Sequence, residues 1–335
     1  MNKWYRSQGA DSDVVLSSKI RLARNLDGVP FPCRMSDELR KSVCRKLYAA
    51  VQNSKLAGEF DFTELNSLSS IKRISLAEKG LISPQMAKQE RYGAVLISKD
   101  ESICVMLCEE DHIRINVMSA GLNFAQAYKK ADELDNIFIN STKIAFSRRL
   151  GFLTSNPMHL GTGMKASALL HLPAITEKGM QSMLSGMISK LGFSIKPVYG
   201  DCGFYRLSND LSLGIKEQSA VDNTNAVCEQ IAKQERACRE ELLQYDAFED
   251  KIFRAMGTLK MARKLSAKEF YSLISLARLG ISMNIFDNNE KGTYENIGNM
   301  IYSLGTATVI ADAGENLTAE DADKLRAQFI REQLG

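Results

Sequence analysis

Three apolar runs within residues 92–118 constrain the fold of this chain more than any other feature of its sequence. The runs YGAVLIS, SICVMLC and HIRINVM are rich in β-branched and other apolar residues, and the short polar segments SKDES and EED separate them. Short apolar runs bounded by polar turns are typical of β-strands joined by hairpin connections. We therefore predict three consecutive strands in this region.

Helical patterns lie on both sides of these strands. Apolar residues recur at four-residue spacing through residues 37–53, and Ser36 is placed to cap the start of that helix. A second helical pattern covers residues 122–146. A third covers residues 177–191, where six apolar residues share one face and Thr176 is the expected N-cap.

The C-terminal part of the sequence differs from the part that precedes it. The runs FSIKPVY and GFYRLS predict two more strands, whereas the pattern is nearly all helical from residue 219 onward. The segments SAKE (266–269) and TAED (318–321) have the spacing of capping boxes, the first for a helix that ends before Gly280. We predict a mixed α/β domain over residues 1–244 and a helical domain over residues 245–335.

Composition and charge argue against several classes of protein. The net charge of +3 is too small for the clustered basic face of a nucleic-acid-binding protein. Residues 1–13 lack the apolar segment of a secretory signal, and no apolar run approaches the ~20 residues of a membrane helix. The seven cysteines form no CxxC pair, which disfavours a structural zinc site or a disulfide framework. We expect a cytoplasmic protein without nucleic-acid or membrane partners.

Four polar segments carry the candidate chemistry, although none is specific by itself. CEEDHIRI (108–115) is most simply a charged turn, SSKIRLARN (17–25) a solvated basic segment, and KPVYGDCG (196–203) a loop. LGTGMKAS (160–167) contains glycines and a lysine but lacks the GxxxxGK[ST] spacing of a P-loop. A metal site in CEEDHIRI is disfavoured because adjacent residues of a turn point in different directions.

Together and in this order, the four segments resemble the ATP:guanido phosphotransferase (phosphagen kinase) family. The resemblance rests on DVVLSSKIRLARNLDGVPFP, CEEDHIRI, FLTSNPMHLGTGMKASALLHLPAI and KPVYGDCGFYRLSNDLSLG, and it covers roughly residues 11–244. It is greatest for the bacterial branch, the protein arginine kinases, whose C-terminal domain the helical tail also resembles. The resemblance implies an α+β fold: an antiparallel sheet flanked by helices, followed by an α-helical C-terminal domain.

Phosphoryl transfer from ATP to a guanidinium group requires cations around the phosphates, Mg²⁺, and a carboxylate that orients and deprotonates the guanidinium. The resemblance implies that Glu110 and Asp201 are the two catalytic carboxylates. Phosphate-binding cations are expected at Lys19, Arg21, Arg114, Lys165 and Lys196. Further nucleotide contacts are expected at Ser17, Ser18, Ile20, Ala166 and Ser167. Glu109, Asp111 and His112 are expected to support the turn, and no residue is predicted to be a metal ligand.

Several of these positions differ from the family pattern. The family has arginine where this chain has Lys19, Lys165 and Lys196; lysine keeps the charge but lacks the planar fork of donors. The other differences are Asp201 for a glutamate, Asn156 for a cysteine that contacts the guanidinium, Gly80 for a histidine near the adenine, and Cys108 for an asparagine.

The thiols near the site allow two interpretations. Cys108 and Cys202 are most simply small apolar groups that fill space. Alternatively, the nearby cations could lower the pKa of one thiol, and its thiolate would then contact the guanidinium.

The helical tail also departs from its relatives. The protein arginine kinases carry an RDxxRA motif that binds phosphoarginine, and the matching segment here is ADKLRA (322–327). Ala322 removes the first guanidinium of that motif, whereas Asp323 and Arg326 retain the rest.

Three functions remain open at this point. The first is an active protein arginine kinase that uses ATP and Mg²⁺, acts on protein substrates bearing arginine, and serves in stress response and protein quality control. The second is a catalytically weak or inactive member that binds ATP or a partner as an adaptor. The third is a small-molecule phosphagen kinase. It is disfavoured because the first motif begins at residue 17, which leaves no room for the helical N-terminal domain that those enzymes have. Positive charge at all five predicted phosphate-binding positions favours the first. A homodimer and a stress-regulator or protease-adaptor partner are also expected.

Overall fold

The computed structural model describes residues 3–286, 294–314 and 316–335. The strands are β1 (Val15–Arg24), β2 (Phe60–Glu64), β3 (Ala94–Ser98), β4 (Ile103–Leu107), β5 (Ile113–Ala120), β6 (Phe146–Ser147), β7 (Gly151–Phe152), β8 (Met164–His171), β9 (Phe193–Pro197) and β10 (Phe204–Asn209). The helices are α1 (Asp37–Gln52), α2 (Ser70–Glu78), α3 (Pro84–Ala87), α4 (Phe124–Ser141), α5 (Pro173–Glu177), α6 (Gln181–Lys190), α7 (Glu217–Leu242), α8 (Asp246–Met261), α9 (Ala267–Ser282), α10 (Tyr294–Ser303), α11 (Thr306–Ala313) and α12 (Ala319–Leu334).

Eight strands form one sheet in the order β2-β3-β4-β5-β1-β8-β10-β9, and every neighbouring pair is antiparallel. β6 and β7 form a separate small hairpin. The prediction of three consecutive strands within residues 92–118 is confirmed, since β3, β4 and β5 are neighbours in the sheet. The prediction of an antiparallel sheet flanked by helices is confirmed as well.

Hydrophobic clusters cover both faces of the sheet. On one face, core residues such as Ile20, Ile115 and Ala166 pack with residues of α1, α4 and α7. On the other face, Met118 and Leu169 belong to a cluster that includes residues of the helical tail. Because successive side chains of a strand point to opposite faces, each central strand contributes one set of residues to each side.

Two predicted helix starts are confirmed. The Ser36 side chain accepts a hydrogen bond from the Leu39 N–H at the start of α1. At the start of α12, the Thr318 and Asp321 side chains form a reciprocal capping box. The described part of the chain contains no helix that is long and apolar enough to cross a membrane.

Two other helix predictions are wrong in their limits. The pattern over residues 177–191 is divided between α5 and α6, because Gly179 adopts a left-handed conformation with φ of 68°. The helix expected to end before Gly280 continues to Ser282. Gly280 lies inside this helix. A Cβ atom at this position would lie 2.3 Å from the Phe286 ring, so the absence of a side chain permits close packing.

Candidate active site

The register of the central strands places the predicted cations on one face of the sheet. Arg21 pairs with Lys165 on β8, and Ala23, two residues further along β1, pairs with Arg114 on β5. Paired residues of neighbouring strands project to the same side, and so do residues two apart. The same reasoning places Lys196 of β9 and its partner Arg206 of β10 on this side. We call these six residues the cationic face: Lys19, Arg21, Arg114, Lys165, Lys196 and Arg206.

A cavity of about 760 Å³ lies over part of the cationic face. This volume is within the range of small-molecule and cofactor sites. The residues that line it include Lys19, Arg21, Glu78, Gly80, Glu109, Glu110, Arg114, Asn116, Asn156, His159, Tyr199, Arg206 and Tyr302. Lys165, Lys196 and Asp201 are absent from this lining; Lys165 is half-buried, and the other two are exposed.

Arg114 connects the two glutamates of the acidic turn. Its guanidinium donates to the Glu110 carboxylate at 2.7 Å and to the buried Glu109 carboxylate. Glu109 also accepts a hydrogen bond from the Ser83 hydroxyl. The Glu109 side chain is 3% exposed, whereas that of Glu110 is 38% exposed. Glu110 is therefore the carboxylate that a substrate in the cavity can reach, and Glu109 fixes Arg114.

The remaining residues of the turn anchor it to the loop after β1. Asn25 donates from Nδ2 to Asp111 Oδ1 at 2.7 Å, and its Oδ1 accepts from the His112 N–H at 2.9 Å. His112 Nδ1 accepts from the Leu26 N–H, so its Nε2 carries the proton and donates to the Pro30 carbonyl. Burial lowers the pKa of His112. The structure thus agrees with supporting roles for Asp111 and His112.

A buried arginine holds the start of the same turn, and no sequence pattern indicated it. Arg40 of α1 donates to the carbonyls of Pro32, Tyr92 and Cys108. Cys108 itself has a positive φ of 56°. The periodicity of α1 predicted its apolar face. It does not show that Arg40 binds carbonyl groups, two of which belong to segments more than 50 residues further along the chain.

The two thiols near the site have packing roles. Cys108 is fully buried in the core beside Cys44, whose hydrogen bond is the main cause of its lowered pKa. Burial raises the pKa of the Cys202 thiol to about 11. Neither residue lines the cavity. The lowered pKa of Cys108 has the direction expected of a thiolate, but Cys108 lies in the core and neither thiol lines the cavity, so neither is placed to contact a guanidinium bound there. Their placement agrees with the space-filling interpretation.

The cations in the cavity are partly desolvated. Lys19 Nζ donates to the Gly80 carbonyl at 3.0 Å, and burial, followed by the charges of Arg206 and Arg21, lowers its pKa to about 7. Arg21 Nη2 lies 3.0 Å from His159 Nε2. Burial lowers the pKa of His159 to about 4, so this nitrogen accepts the arginine's hydrogen bond at neutral pH. Several positive charges in a restricted volume favour binding of an anion.

Two donors in this region have no hydrogen-bond partner in the described residues. They are the buried Nε atoms of Arg21 and Arg114. Unsatisfied buried donors are unfavourable, and a polyanion is a chemically suitable acceptor for this set of guanidinium groups. The donors present therefore fit a nucleotide phosphate chain.

The other predicted nucleotide contacts occupy different environments. Ser18 donates to the Gly121 carbonyl, and Ile20 and Ala166 lie in the core on the opposite face of the sheet. Ser17 is hydrogen-bonded to Tyr302 at 3.0 Å, and Ser167 lies on the side of the cationic face but does not line the cavity. The side chains of Ser18, Ile20 and Ala166 are thus directed away from the cavity, and nucleotide binding by these five residues stays a prediction.

The segment that matches the phosphoarginine motif is packed inside the helical domain. Arg326 is fully buried and donates to the Leu304 and Leu265 carbonyls, to Asp323, and to the Thr306 hydroxyl. All three of its guanidinium nitrogens are therefore engaged within the protein. Arg326 has a structural role in this arrangement.

In the described ranges, no group of three or more His, Cys, Asp or Glu side chains is placed to hold a metal ion. Mg²⁺ in phosphoryl-transfer enzymes is commonly bound through one or two carboxylates together with substrate phosphates. The acidic turn at Glu109 and Glu110 lies at the same cavity as the cations.

Two family models match the chain. One is described as ATP:guanido phosphotransferase, C-terminal catalytic domain, and matches residues 42–238. The other is described as Protein-arginine kinase McsB C-terminal domain and matches residues 245–335.

Curated relatives match over almost their whole length. A protein-arginine kinase of Clostridium novyi is 36% identical over 344 residues, covering 100% of this chain and 98% of the relative. A protein-arginine kinase of Brevibacillus brevis is 34% identical over 342 residues, covering 99% of this chain and 95% of the relative.

Solved structures of guanidino kinases share the fold. A duplicated taurocyamine kinase from Schistosoma mansoni has a TM-score of 0.58 at 26% identity, with 66% of this chain and 33% of that chain covered. This chain thus spans about a third of that duplicated enzyme. A lombricine kinase has a TM-score of 0.58 at 18% identity, with 69% of this chain and 68% of that chain covered, and is similar in fold. The predicted phosphagen-kinase fold is confirmed.

Proposed function

Since this chain belongs to the ATP:guanido phosphotransferase family, we propose that it transfers the γ-phosphoryl group of ATP to arginine guanidinium groups in proteins. The observation that carries this proposal is the single cavity in which Lys19, Arg21 and Arg114 meet the accessible carboxylate of Glu110. Full-length similarity to protein-arginine kinases supports a protein substrate.

In the proposed reaction, Lys19, Arg21 and Arg114 bind and orient the phosphate chain. Mg²⁺, when bound with the nucleotide, would neutralise charge on the phosphates. The substrate guanidinium donates to Glu110, which takes a proton as the guanidinium nitrogen forms its bond to the γ-phosphorus and the bond to the ADP oxygen breaks. Arg114 is ion-paired with Glu110 in this structure. When Arg114 bonds to phosphate instead, the Glu110 carboxylate is released for the substrate. The ion pair with Glu109 continues to hold the Arg114 side chain.

The test compares Glu110→Gln with the wild type and with Glu59→Gln, a control at an exposed site. Each protein is incubated with Mg·ATP and an arginine-rich protein, and acid-labile phosphate is measured. We expect Glu110→Gln to keep ATP affinity but to reduce transfer by ~10²-fold or more, the scale of a general base. Unchanged transfer in this variant would remove Glu110 from the mechanism.

The alternative function, an adaptor with weak or no catalysis, is favoured by a specific observation. Asp201, the second predicted catalytic carboxylate, is exposed in the connection between β9 and β10 and does not line the cavity. The same assay distinguishes the two functions. ATP binding without any acid-labile phosphate would identify an adaptor, whereas phosphoarginine on the protein substrate would identify a kinase.

Family membership also supports proposals about the cellular context. We propose a homodimer in the cytoplasm that acts in stress response and protein quality control, with a stress regulator or a protease adaptor as partner. Light scattering would test the dimer, and affinity capture after heat shock would test the partner.

A further inference from the structure

Arg206 belongs to the cationic face although the four sequence segments gave it no role. It lies on β10, where it pairs with Lys196 on one side and with Leu169 on the other. It lines the same cavity as Lys19, Arg21 and Arg114. By contrast, Lys196, which the family resemblance implies as a phosphate-binding residue, does not line that cavity.

The environment of Arg206 differs from that of the other cavity cations. Arg114 is paired with Glu109 and Glu110, and Arg21 is bonded to His159. Within residues 3–286, 294–314 and 316–335, Arg206 has neither a hydrogen bond from its side chain nor an ion pair, and it is exposed. Its guanidinium is therefore available to a ligand.

The sheet itself gains little from an arginine at this position. Like charges directly opposite each other on neighbouring strands are destabilising, and Arg206 faces Lys196 in register. The charge of Arg206 also disfavours the charged form of Lys19. Two unfavourable interactions without a compensating protein contact indicate a role in binding an anion.

We propose that Arg206 is a nucleotide-binding residue that contacts the phosphate chain in the cavity, a role that rests on the proposed use of ATP. Arginine presents a planar fork that binds two phosphate oxygens at once, which a lysine does not. Three of the six residues of the cationic face, Lys19, Lys165 and Lys196, are lysines. Arg206 supplies a guanidinium to the same surface from a different strand.

The test uses Arg206→Gln, Arg206→Lys and the control Arg45→Gln, an exposed arginine of α1 on the opposite face of the sheet. Affinities for ATP and for AMP, melting temperature, and arginine phosphorylation are measured for each. We expect Arg206→Gln to weaken ATP binding by about tenfold or more, the effect of one lost charge-assisted contact. AMP binding should weaken less, because AMP carries fewer phosphates, and the salt dependence of ATP binding should decrease. Arg206→Lys should be intermediate.

A purely structural role predicts a different result. If Arg206 stabilised the sheet, Arg206→Gln would lower the melting temperature and affect ATP and AMP equally. We expect an unchanged or higher melting temperature, because the repulsion from Lys196 is removed. ATP affinity equal to that of Arg45→Gln would overturn the proposal, as would an effect confined to the KM for the protein substrate.

Failure of this proposal is separable from failure of the proposed function. If Arg206→Gln weakens ATP binding but no variant or wild type forms phosphoarginine, the assignment of Arg206 stands and the kinase function falls. If the wild type phosphorylates arginine and Arg206→Gln binds ATP normally, the kinase function stands and the assignment falls. A wild type that binds no ATP would overturn both.

Discussion

At the scale of single residues, Lys19 is proposed to bind phosphate as a cation, although its environment disfavours its positive charge. Burial and the neighbouring arginines lower its pKa to about 7, so a substantial fraction of its ammonium is deprotonated near neutral pH. A bound phosphate would favour the charged form and raise this pKa again. In our proposal, nucleotide binding is therefore linked to proton uptake at Lys19.

This linkage predicts the pH dependence of ATP affinity. A lysine is charged below its pKa, so the positive charge at Lys19 is present at about pH 6 and is lost as the pH rises through about 7 in the free protein. We expect ATP affinity to fall between about pH 6 and about pH 9. Lys19→Arg should flatten the profile, because a guanidinium stays charged throughout this range.

Calorimetry in buffers of different ionisation enthalpy measures the proton uptake directly. At about pH 8, the wild type should take up a fraction of a proton on binding ATP, and Lys19→Arg should take up less. The titration of the nucleotide itself is common to both proteins and cancels in the comparison. Equal proton uptake by the two proteins would rule out Lys19 as the linked group.

The sequence identified several cavity residues but not all of them. Lys19, Arg21, Glu110 and Arg114 lie in segments whose family resemblance was visible, and the structure brings all four to one cavity. Arg206 also lies in one of these segments, KPVYGDCGFYRLSNDLSLG, but the resemblance implied no role for it. Its position beside the cavity follows from the register of β8, β9 and β10, and register depends on pairing between segments that a single sequence does not specify.

At the scale of elements, the acidic turn between β4 and β5 depends on a side chain from another segment. Asn25 donates from Nδ2 to Asp111 and to the Leu153 carbonyl, and accepts from the His112 N–H. Hydrogen bonds of this kind fix the backbone that carries Glu110.

Asn25→Ala should therefore affect both stability and catalysis. Loss of these hydrogen bonds leaves buried polar groups unpaired, and we expect a loss of about 2–3 kcal/mol in the free energy of unfolding. Transfer should fall more than ATP affinity, because small displacements of a reacting group reduce the rate strongly. Asn66→Ala, at an exposed site, is the control. Denaturant unfolding and the phosphoarginine assay measure the two effects, and a variant that is destabilised but catalytically normal would contradict the positioning role.

Elements with strong periodic patterns were predictable, and their interruptions were less so. The strands β3, β4 and β5 and the capped helices α1 and α12 agree with the sequence patterns. The break at Gly179 was missed because Thr176 was expected to cap the helix, whereas all six apolar residues of the pattern follow Gly179 and α6 begins only at Gln181. The continuation of α9 through Gly280 was missed because a glycine commonly ends a helix, whereas here tight packing against Phe286 requires it.

At the scale of the whole molecule, the helical tail forms part of the cavity wall. Tyr302 of α10 lines the cavity and is hydrogen-bonded to Ser17 of β1. Glu78, at the end of α2, also lines the cavity and accepts hydrogen bonds from the Ala307 and Thr308 N–H groups at the start of α11. The sequence predicted a catalytic domain and a helical domain, but not a shared cavity, because such contacts depend on how distant segments pack.

The contact between Glu78 and α11 is the basis of the last prediction. A carboxylate at a helix N-terminus is favoured by the helix dipole and by charge-assisted hydrogen bonds. Glu78→Gln should thus lower the free energy of unfolding by about 1–3 kcal/mol. The same substitution removes a negative charge from a cavity that we propose binds phosphate. We therefore expect ATP affinity to stay equal or increase despite the lower stability.

Glu320→Gln is the matched control for this prediction. Glu320 is exposed and ion-paired with Lys264 and Lys324, and exposed ion pairs contribute little to stability because solvent screens them. Denaturant unfolding and ATP titration should show a larger loss of stability for Glu78→Gln than for Glu320→Gln, with no loss of ATP affinity in either. Equal stability of the two variants would show that the contact with α11 is energetically minor. A marked loss of ATP affinity in Glu78→Gln alone would show that the tail positions the cavity wall and that this effect outweighs the charge.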